Sequence, residues 1–407
     1  MDAGSDGGEA AEGRVLSEKW LLFLLAAVQF THIMDFMVMM PLGPQLQRDL
    51  NVTPQQFGGF ISSFAITAGI VGLLSAPFID RFDRRKLLLC CYAGFAAGTL
   101  ACGLSTTAPM LQLSRALCGA FGGVSGAAIM AIVADVVPPE RRARGMGIIM
   151  TAFSFAAAAG VPLGLKLAQW LRWEAPFLTV AGLAVVVWIC LYRVLPPVRG
   201  HLQEGKTPSG RDFLELLSDG NAWIGILLMT AMVFGHFTII PYLSTYLVGN
   251  AGMPEDKLFL VYLTGGLVTI FTGPWVGRMA DLHGRFKVYC VLVAGASIVI
   301  RLLTNSGPIP VWYVLVLAAF FFTFASGRFI PGQAVISQAV PSARRGAYMS
   351  LIGCARDLAS GITTTIGGMV VTAGPGKSLL HFDRLGLAAI AVSVCSLLVF
   401  RKLRAVA

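Results

Sequence analysis

Ala76-Pro77-Phe78-Ile79-Asp80-Arg81-Phe82-Asp83-Arg84-Arg85-Lys86 returns in altered form as Gly277-Arg278-Met279-Ala280-Asp281-Leu282-His283-Gly284-Arg285-Phe286-Lys287. The two aspartates stand 201 residues apart. A second pair of phrases repeats in the same way. Val137-Pro138-Pro139-Glu140-Arg141-Arg142 is answered by Val340-Pro341-Ser342-Ala343-Arg344-Arg345, with Arg141 and Arg344 203 residues apart. A near-constant offset at two places means that one unit of about two hundred residues occurs twice. Each phrase closes an apolar stretch, so the unit is a set of apolar segments joined by short basic turns.

The composition says what those segments are. Of 407 residues, 56% are apolar and only 13% are charged. A soluble domain carries about 25% charged residues. A soluble enzyme and a disordered protein are both excluded. A helix needs about 20 apolar residues to cross a bilayer. Twelve stretches qualify: 20–43, 56–79, 87–105, 109–136, 145–170, 175–195, 221–248, 257–280, 287–306, 310–338, 347–373 and 380–400. The expected fold is an all-α membrane protein of twelve transmembrane helices in two pseudo-symmetric six-helix halves. A membrane β-barrel would instead show alternating segments of about ten residues.

The expected organisation is a disordered tail at 1–19, one half at 20–195 and a linker at 196–220. The second half is 221–400, followed by a tail at 401–407. The start lacks the basic, short-apolar and cleavage pattern of a signal peptide. The net charge is +10. In a soluble chain that would suggest nucleic acid. Here 21 of the 31 Lys and Arg fall on the side that holds both termini. Basic loops stay inside, so both termini are expected in the cytoplasm. The eight cysteines lie in or beside apolar spans and show no ligand spacing. No metal, cofactor or nucleic-acid partner is expected.

These phrases, in this order, resemble the major facilitator superfamily, and within it the bacterial twelve-span drug:proton antiporter and sugar-efflux branch. The loop phrase Asp-Arg-x-Gly-Arg-Arg of that family appears as Asp80-Arg81-Phe82-Asp83-Arg84-Arg85. The family glycines are Ala76 and Asp83 in the first copy, but Gly277 and Gly284 in the second. Arg115-Ala116-Leu117-Cys118-Gly119 matches the Arg-x-x-x-Gly of proton-coupled members. Gly160-Val161-Pro162-Leu163-Gly164 matches the antiporter phrase. Asp35-Phe36 with Pro41 and Pro44 resembles the efflux branch. The resemblance implies a monomer in the bacterial inner membrane, with a small-molecule substrate, protons and the bilayer as partners. It implies proton-coupled efflux of a drug-like or sugar-like solute by alternating access. A proton-independent facilitator, a lipid or metabolite transporter and a non-transporting sensor are the competing readings. No Walker loop, His-Glu-x-x-His or Gly-x-Ser-x-Gly phrase supports an enzyme or an ATP-driven pump.

The embedded charges carry the chemistry. A carboxylate inside a span costs about 2.5–3.5 kcal/mol, so Asp35 needs a reason. Arg115 lies about six residues into the fourth span from the opposite direction, at a matching depth, and is the expected partner. The pair is the expected proton-coupling element. Gln29 and His32 precede Asp35 at steps of three and are expected to form one polar stripe toward the cavity. His32 also fits a packing role. Met39, His236 and Tyr242 are further cavity candidates. Arg328, Arg356 and Asp357 complete the set. One arrangement pairs Arg328 with Asp357 and turns Arg356 to the solute; the other is a structural ion pair at a helix contact.

By resemblance, Asp80, Arg81, Arg84, Arg85, Asp281, Gly284 and Arg285 form the conformational-switch loops. Asp80 would bond near the start of the eleventh span, supported by Arg84. Gly119, Gly123, Gly160, Pro162 and Gly164 are expected to pack helices closely. Lys166 is expected to snorkel to the interface.

Overall fold

The computed structural model describes residues 18–79, 81–198, 216, 218–341, 344–375, 378–404 and 406. The first half contains α1 (Glu18–Val38), α2 (Gly43–Asp49), α3 (Pro54–Ile79), α4 (Arg84–Gly103) and α5 (Ala108–Val136). It continues with α6 (Pro139–Phe155), a π-helical turn (Ala156–Gly160), α7 (Val161–Trp170) and α8 (Ala175–Val194). The second half contains α9 (Gly220–Phe237), α10 (Ile240–Gly249), α11 (Phe259–His283) and α12 (Arg285–Thr304). Then come α13 (Val311–Phe321), a second π turn (Phe322–Ser326), α14 (Phe329–Ile336), α15 (Arg345–Val370) and α16 (Phe382–Lys402). A two-residue hairpin, β1 (Thr372–Ala373) with β2 (Leu379–Leu380), joins the last two helices.

Among the described residues, 11 helices are long and apolar enough to span a membrane. The remaining helix, α15, the eleventh span in chain order, has 26 residues, but Arg356, Asp357 and a run of threonines dilute its apolarity. It lies along α3 nonetheless. A Cβ at Gly361 would meet the Ser62 carbonyl oxygen at 3.1 Å, and one at Gly69 would meet that of Cys354 at 3.0 Å. Small residues let backbones approach this closely, which is what holds helices together in lipid.

Several expected boundaries move for local reasons. The first span ends at Val38, not 43, and the chain restarts as α2 with Pro44 in its first turn. The seventh breaks in the same way before Pro241. Proline lacks an N–H, so it fits the first turn of a helix and not its interior. The fifth span starts six residues early, at Pro139, and contains a π turn just before Pro162. A few starts carry side-chain caps. Thr53 and Gln56 form a reciprocal box at α3, with backbone nitrogens bonded at 2.9 and 3.2 Å. Asp219 caps α9 through the Asn221 nitrogen at 2.8 Å.

The helix ends form two faces. One, the basic face, carries the turns that join α3 to α4, α5 to α6, α11 to α12 and α14 to α15, with Glu18 and Val406, the first and last described residues, beside them. The other is the far face. The halves touch through α3 with α15, and through the π turn and α7 with α11. On the far face, Arg48 of the first half grips Glu255 of the second with two hydrogen bonds, at 2.9 and 3.4 Å. Gln47 donates to Thr245 at 3.1 Å and Gln169 to the Glu255 carbonyl at 2.6 Å. Lys166 donates to the Asp256 carbonyl at 3.2 Å and stands 4.2 Å over the Phe259 ring. It therefore bridges the halves instead of snorkelling alone, because a carbonyl and a ring face lie within its reach.

Candidate functional site

The repeat sets the cavity wall. Gln29, Ile33 and Phe36 share one face of α1, each half-buried. At an offset of 201 residues, Thr230, Phe234 and Phe237 share the matching face of α9. Phe36 and Phe237 meet across the halves at 6.0 Å, and Phe36 also packs on Phe64 of α3 at 5.2 Å. These rings roof the space. Below them on the α9 face, Trp223 and Leu227 are 51% and 55% exposed.

α15 supplies the charges. Ile362, Ile366 and Met369 are exposed on its outer side. Gly353, Arg356, Asp357 and Ser360 fall on the opposite side by helical phase. The Arg356 side chain is 50% exposed although it points inward, and that of Asp357 is 29% exposed. Both therefore face an open space between the halves. Gln29, Thr230 and Arg356 each lie 10 or 11 residues from the basic-face end of their helix. At 1.5 Å per residue that is about 15 Å, half of a hydrocarbon core of about 30 Å. Gly126 of α5 lies at the same depth, and a Cβ there would meet nothing within 4 Å. Four helices thus open onto one midplane layer.

The expected pair is present behind this wall. Arg115 Nη1 donates to Asp35 Oδ2 at 2.5 Å, with both side chains 0% exposed. The same nitrogen also reaches the Asp35 carbonyl oxygen at 3.3 Å. The Arg115 guanidinium carbon lies 4.6 Å from the centre of the Phe64 ring. Phe64 therefore touches the cavity roof on one side and the ion pair on the other.

Other expectations are corrected. His32 and Asp35 do not share the cavity face with Gln29, because three-residue steps rotate them toward α4 and α5. His32 packs edge-on against Phe95 at 4.1 Å and Tyr92 at 5.5 Å. His236 is the repeat counterpart of Asp35; it stacks on Phe321 and meets Phe329 and Phe237. Met39 and Tyr242 are fully buried. Tyr242 donates to the Thr364 carbonyl at 2.6 Å and wedges where α3 crosses α15, so it serves packing.

Arg328 does not pair with Asp357. It donates to Ser393 at 2.5 Å and to the Met232 carbonyl at 3.0 Å, completely buried beside α9 and α16. Asp357 instead accepts from its neighbour Arg356 at 3.0 Å. Adjacent residues lie only about 100° apart, so a long arginine bends to its own neighbour more easily than it crosses a cavity.

The loop phrases make local contacts at the basic face. Asp80 lies outside the described residues. Arg81 is exposed. Arg84 donates to Asp135 at 3.2 Å. Arg85 donates to the Tyr192 carbonyl at 2.6 Å. Asp83, where the family has glycine, caps α4 by accepting from the Arg85 nitrogen at 2.9 Å. Its repeat counterpart Gly284 has φ +92, a conformation that favours glycine. Asp83 exchanges that freedom for a cap. Arg285 donates to Gln338 at 2.5 Å, and Asp281 is exposed.

The packing glycines do lie at close contacts. A Cβ at Gly119 would overlap the Phe64 carbonyl, and one at Gly123 would sit 2.5 Å from that of Ala68. Gly164 fits against Val38, and Gly160 against Met34 and Phe30. Pro162 is buried in the first turn of α7. Sequence reasoning missed the aromatic roof and the far-face bridges. The 201-residue match of Phe36 with Phe237 was the available signal for the first.

Two bundles of transmembrane helices, repeated in sequence and enclosing a midplane space, define a membrane transporter. The Major Facilitator Superfamily model matches residues 25–364 and 258–403, and the chain belongs to that family. It is 25% identical over 364 residues to the MFS-type transporter YceJ of Bacillus subtilis (strain 168), covering 89% of this chain and 90% of YceJ. The B. subtilis transporter YtbD is 23% identical over 266 residues, 65% of this chain and 66% of its own. Among solved structures, a bacterial homologue of the human lysosomal transporter Spinster, inward-facing and unoccupied, superposes with a TM-score of 0.76 at 16% identity. That match covers 94% of this chain and 96% of the other. A D-xylose-proton symporter also gives 0.76 at 16% identity, over 93% and 97%. The fold is that of the family.

Proposed function

We propose that this transporter is a proton-coupled exporter of a small organic solute, drug-like or sugar-like, working by alternating access in a bacterial cytoplasmic membrane with both termini inside. The observation that carries the reading is the Asp35–Arg115 pair, completely buried between α1 and α5. A buried ion pair without a task is often no better than apolar packing of the same volume. A proton on Asp35 neutralises the carboxylate and leaves Arg115 as an unmatched buried cation. That state costs several kcal/mol, which favours a rearrangement in which Arg115 finds another partner. Phe64 links this step to the cavity, since it contacts both Arg115 and Phe36. Solute pressing on the roof and a proton on Asp35 would then act on the same ring. Proton uptake and solute movement measured in vesicles with an imposed pH gradient test the reading. Solute movement that ignores the gradient would favour the facilitator instead.

The charge of the wall narrows the solute. Arg356 and Asp357 balance each other, and the Asp35–Arg115 pair is neutral. Arg328 adds a positive charge behind α9. Such a wall disfavours a permanent cation. For an aromatic carboxylate, its neutral amide and the matching amine, the amine is expected to be moved least. Arg356→Gln should lower carboxylate transport about tenfold, the worth of one charged hydrogen bond of about 1.5 kcal/mol. Equal amine and carboxylate transport by the wild-type protein would contradict this.

The far-face bridges set the resting state. Arg48 and Glu255 are partly exposed, and such pairs are worth about 0–1 kcal/mol. Losing the charge at Arg48 is therefore mild: Arg48→Ala should shift the population toward far-face opening by no more than about fivefold. Labelling rates, from the far face, of a cysteine placed at Thr230 on the cavity face of α9 measure it.

A further inference from the structure

A trough runs between α1 and α6 on the first half, opening at the basic face. It encloses about 470 Å³. Its floor is made of small residues, Ala26 and Ala27 from α1 and Ala152 from α6, with Thr151 on its edge. At its deep end the rings of Phe30 and Phe155 meet at 5.5 Å. At its mouth it joins a second space of about 450 Å³ lined by Glu18, Lys19, Arg141 and Arg144. Lys19 borders both spaces.

Three features define the occupant. The first is charge. Glu18 is taken by Arg141 at 3.2 Å, so among the described lining residues the mouth keeps the positive charges of Lys19 and Arg144. The second is length. From Lys19 to Phe30 the trough follows eleven residues of α1, about 16 Å, which is the depth of one bilayer leaflet. The third is setting. Phe23 and Phe155 on its edges are 60% and 63% exposed, and Trp20 beside the mouth is 62% exposed. Tryptophan favours the level where acyl chains meet headgroups. Apolar length matched to a leaflet with surplus cations at the headgroup level fits a lipid from that leaflet.

We propose that this trough binds an anionic phospholipid, with one acyl chain between α1 and α6 and the acidic headgroup at Lys19 and Arg144. The site lies on one half only and does not depend on what the protein transports or on proton coupling. Basic pockets between transmembrane helices recognise acidic headgroups in this way. The neutral floor supplies chain burial, and the two cations supply the preference for negative charge.

The test uses the purified full chain in detergent, with phosphatidylglycerol and phosphatidylcholine of identical chains. Native mass spectrometry counts the lipid retained, and thermal melts report stabilisation. The expected result is retention of phosphatidylglycerol over phosphatidylcholine. Lys19→Gln with Arg144→Gln should lower that retention about 30-fold, from about 1 kcal/mol for each cation. Ala26→Phe fills the floor without touching a charge and should also lower it. Arg278→Gln with Lys287→Gln removes two cations elsewhere on the basic face and should leave it unchanged.

A phosphatidylglycerol with a photoreactive chain terminus provides an independent arm in the unaltered protein. It should label peptides containing Phe30 or Phe155. Equal retention of the two lipids, no loss in the double charge variant, or labelling confined to other helices would each overturn the proposal. So would displacement of the label by a transported solute, which would make the trough part of the solute path.

Discussion

Asp35→Asn is expected to reduce proton-driven transport to background while solute exchange across vesicles without a gradient persists. Asparagine keeps the shape of the side chain and an oxygen that Arg115 can bond. It removes the charge that a proton would neutralise. If Asp35 is the coupling carboxyl, the variant has nothing left to titrate and behaves as though permanently protonated. The second signature is thermal. Removing one partner of a buried pair costs about 3–5 kcal/mol, because the remaining charge is left without its match. The melting temperature should therefore fall, and adding Arg115→Gln should recover part of it by removing the stranded cation. Retained coupled transport in Asp35→Asn sinks the proton-coupling reading, whatever happens to stability. A lower melting temperature with coupling intact would leave the pair a purely structural one.

The second large effect is expected at Gly119. A Cβ there would overlap the Phe64 carbonyl and crowd Thr67, both on α3. The contact is with backbone, which cannot swing aside as a side chain does. Gly119→Val should force α3 and α5 apart, and with them the bond from Thr67 to the Ala116 carbonyl, now 2.8 Å. Overpacking of this kind costs about 1–3 kcal/mol and occasionally more. The expected outcome is a large loss of folded protein in membranes and a lowered melting temperature. Gly126→Ala is the control. It lies seven residues away on the same helix, faces open space and should melt like the unaltered protein. Equal behaviour of the two variants would remove the close-packing argument for this helix pair.

Much of the fold was legible because lipid leaves few options. Apolar runs of the right length must be helices, and two phrases repeated at 201 and 203 residues mark the halves. Among the described spans only α15 is diluted by charges and threonines. The meeting of Asp35 with Arg115 was also legible. It required only depth, counted along two antiparallel helices.

What failed needed rotation as well as depth. His32 and Tyr242 lie at plausible heights but point into helix contacts. A helical wheel gives relative angles within one helix and does not say which angle meets a neighbour. Arg328 failed for a related reason. Charge alone suggested Asp357, yet a hydroxyl and a carbonyl stood nearer. The far-face bridges were hidden because Arg48 and Glu255, 207 residues apart, read as ordinary loop charges. The wall of Gln29, Phe36, Thr230 and Phe237 could have been found by laying one half over the other.

The π turn at Ala156–Gly160 has one more consequence. It lies where the halves cross, with Ala157 and Ala158 against Gly266, while the second π turn puts Phe322 against Gly265. A π turn accommodates one more residue than an α-helix of the same height. The fifth span thus carries a spare residue at its crossing point. Deleting one alanine there would restore an ordinary helix and leave Pro162 and Gly164 in register. A deletion elsewhere in that span would turn every later side chain by about 100°. The chain stores its slack at the junction of its two halves.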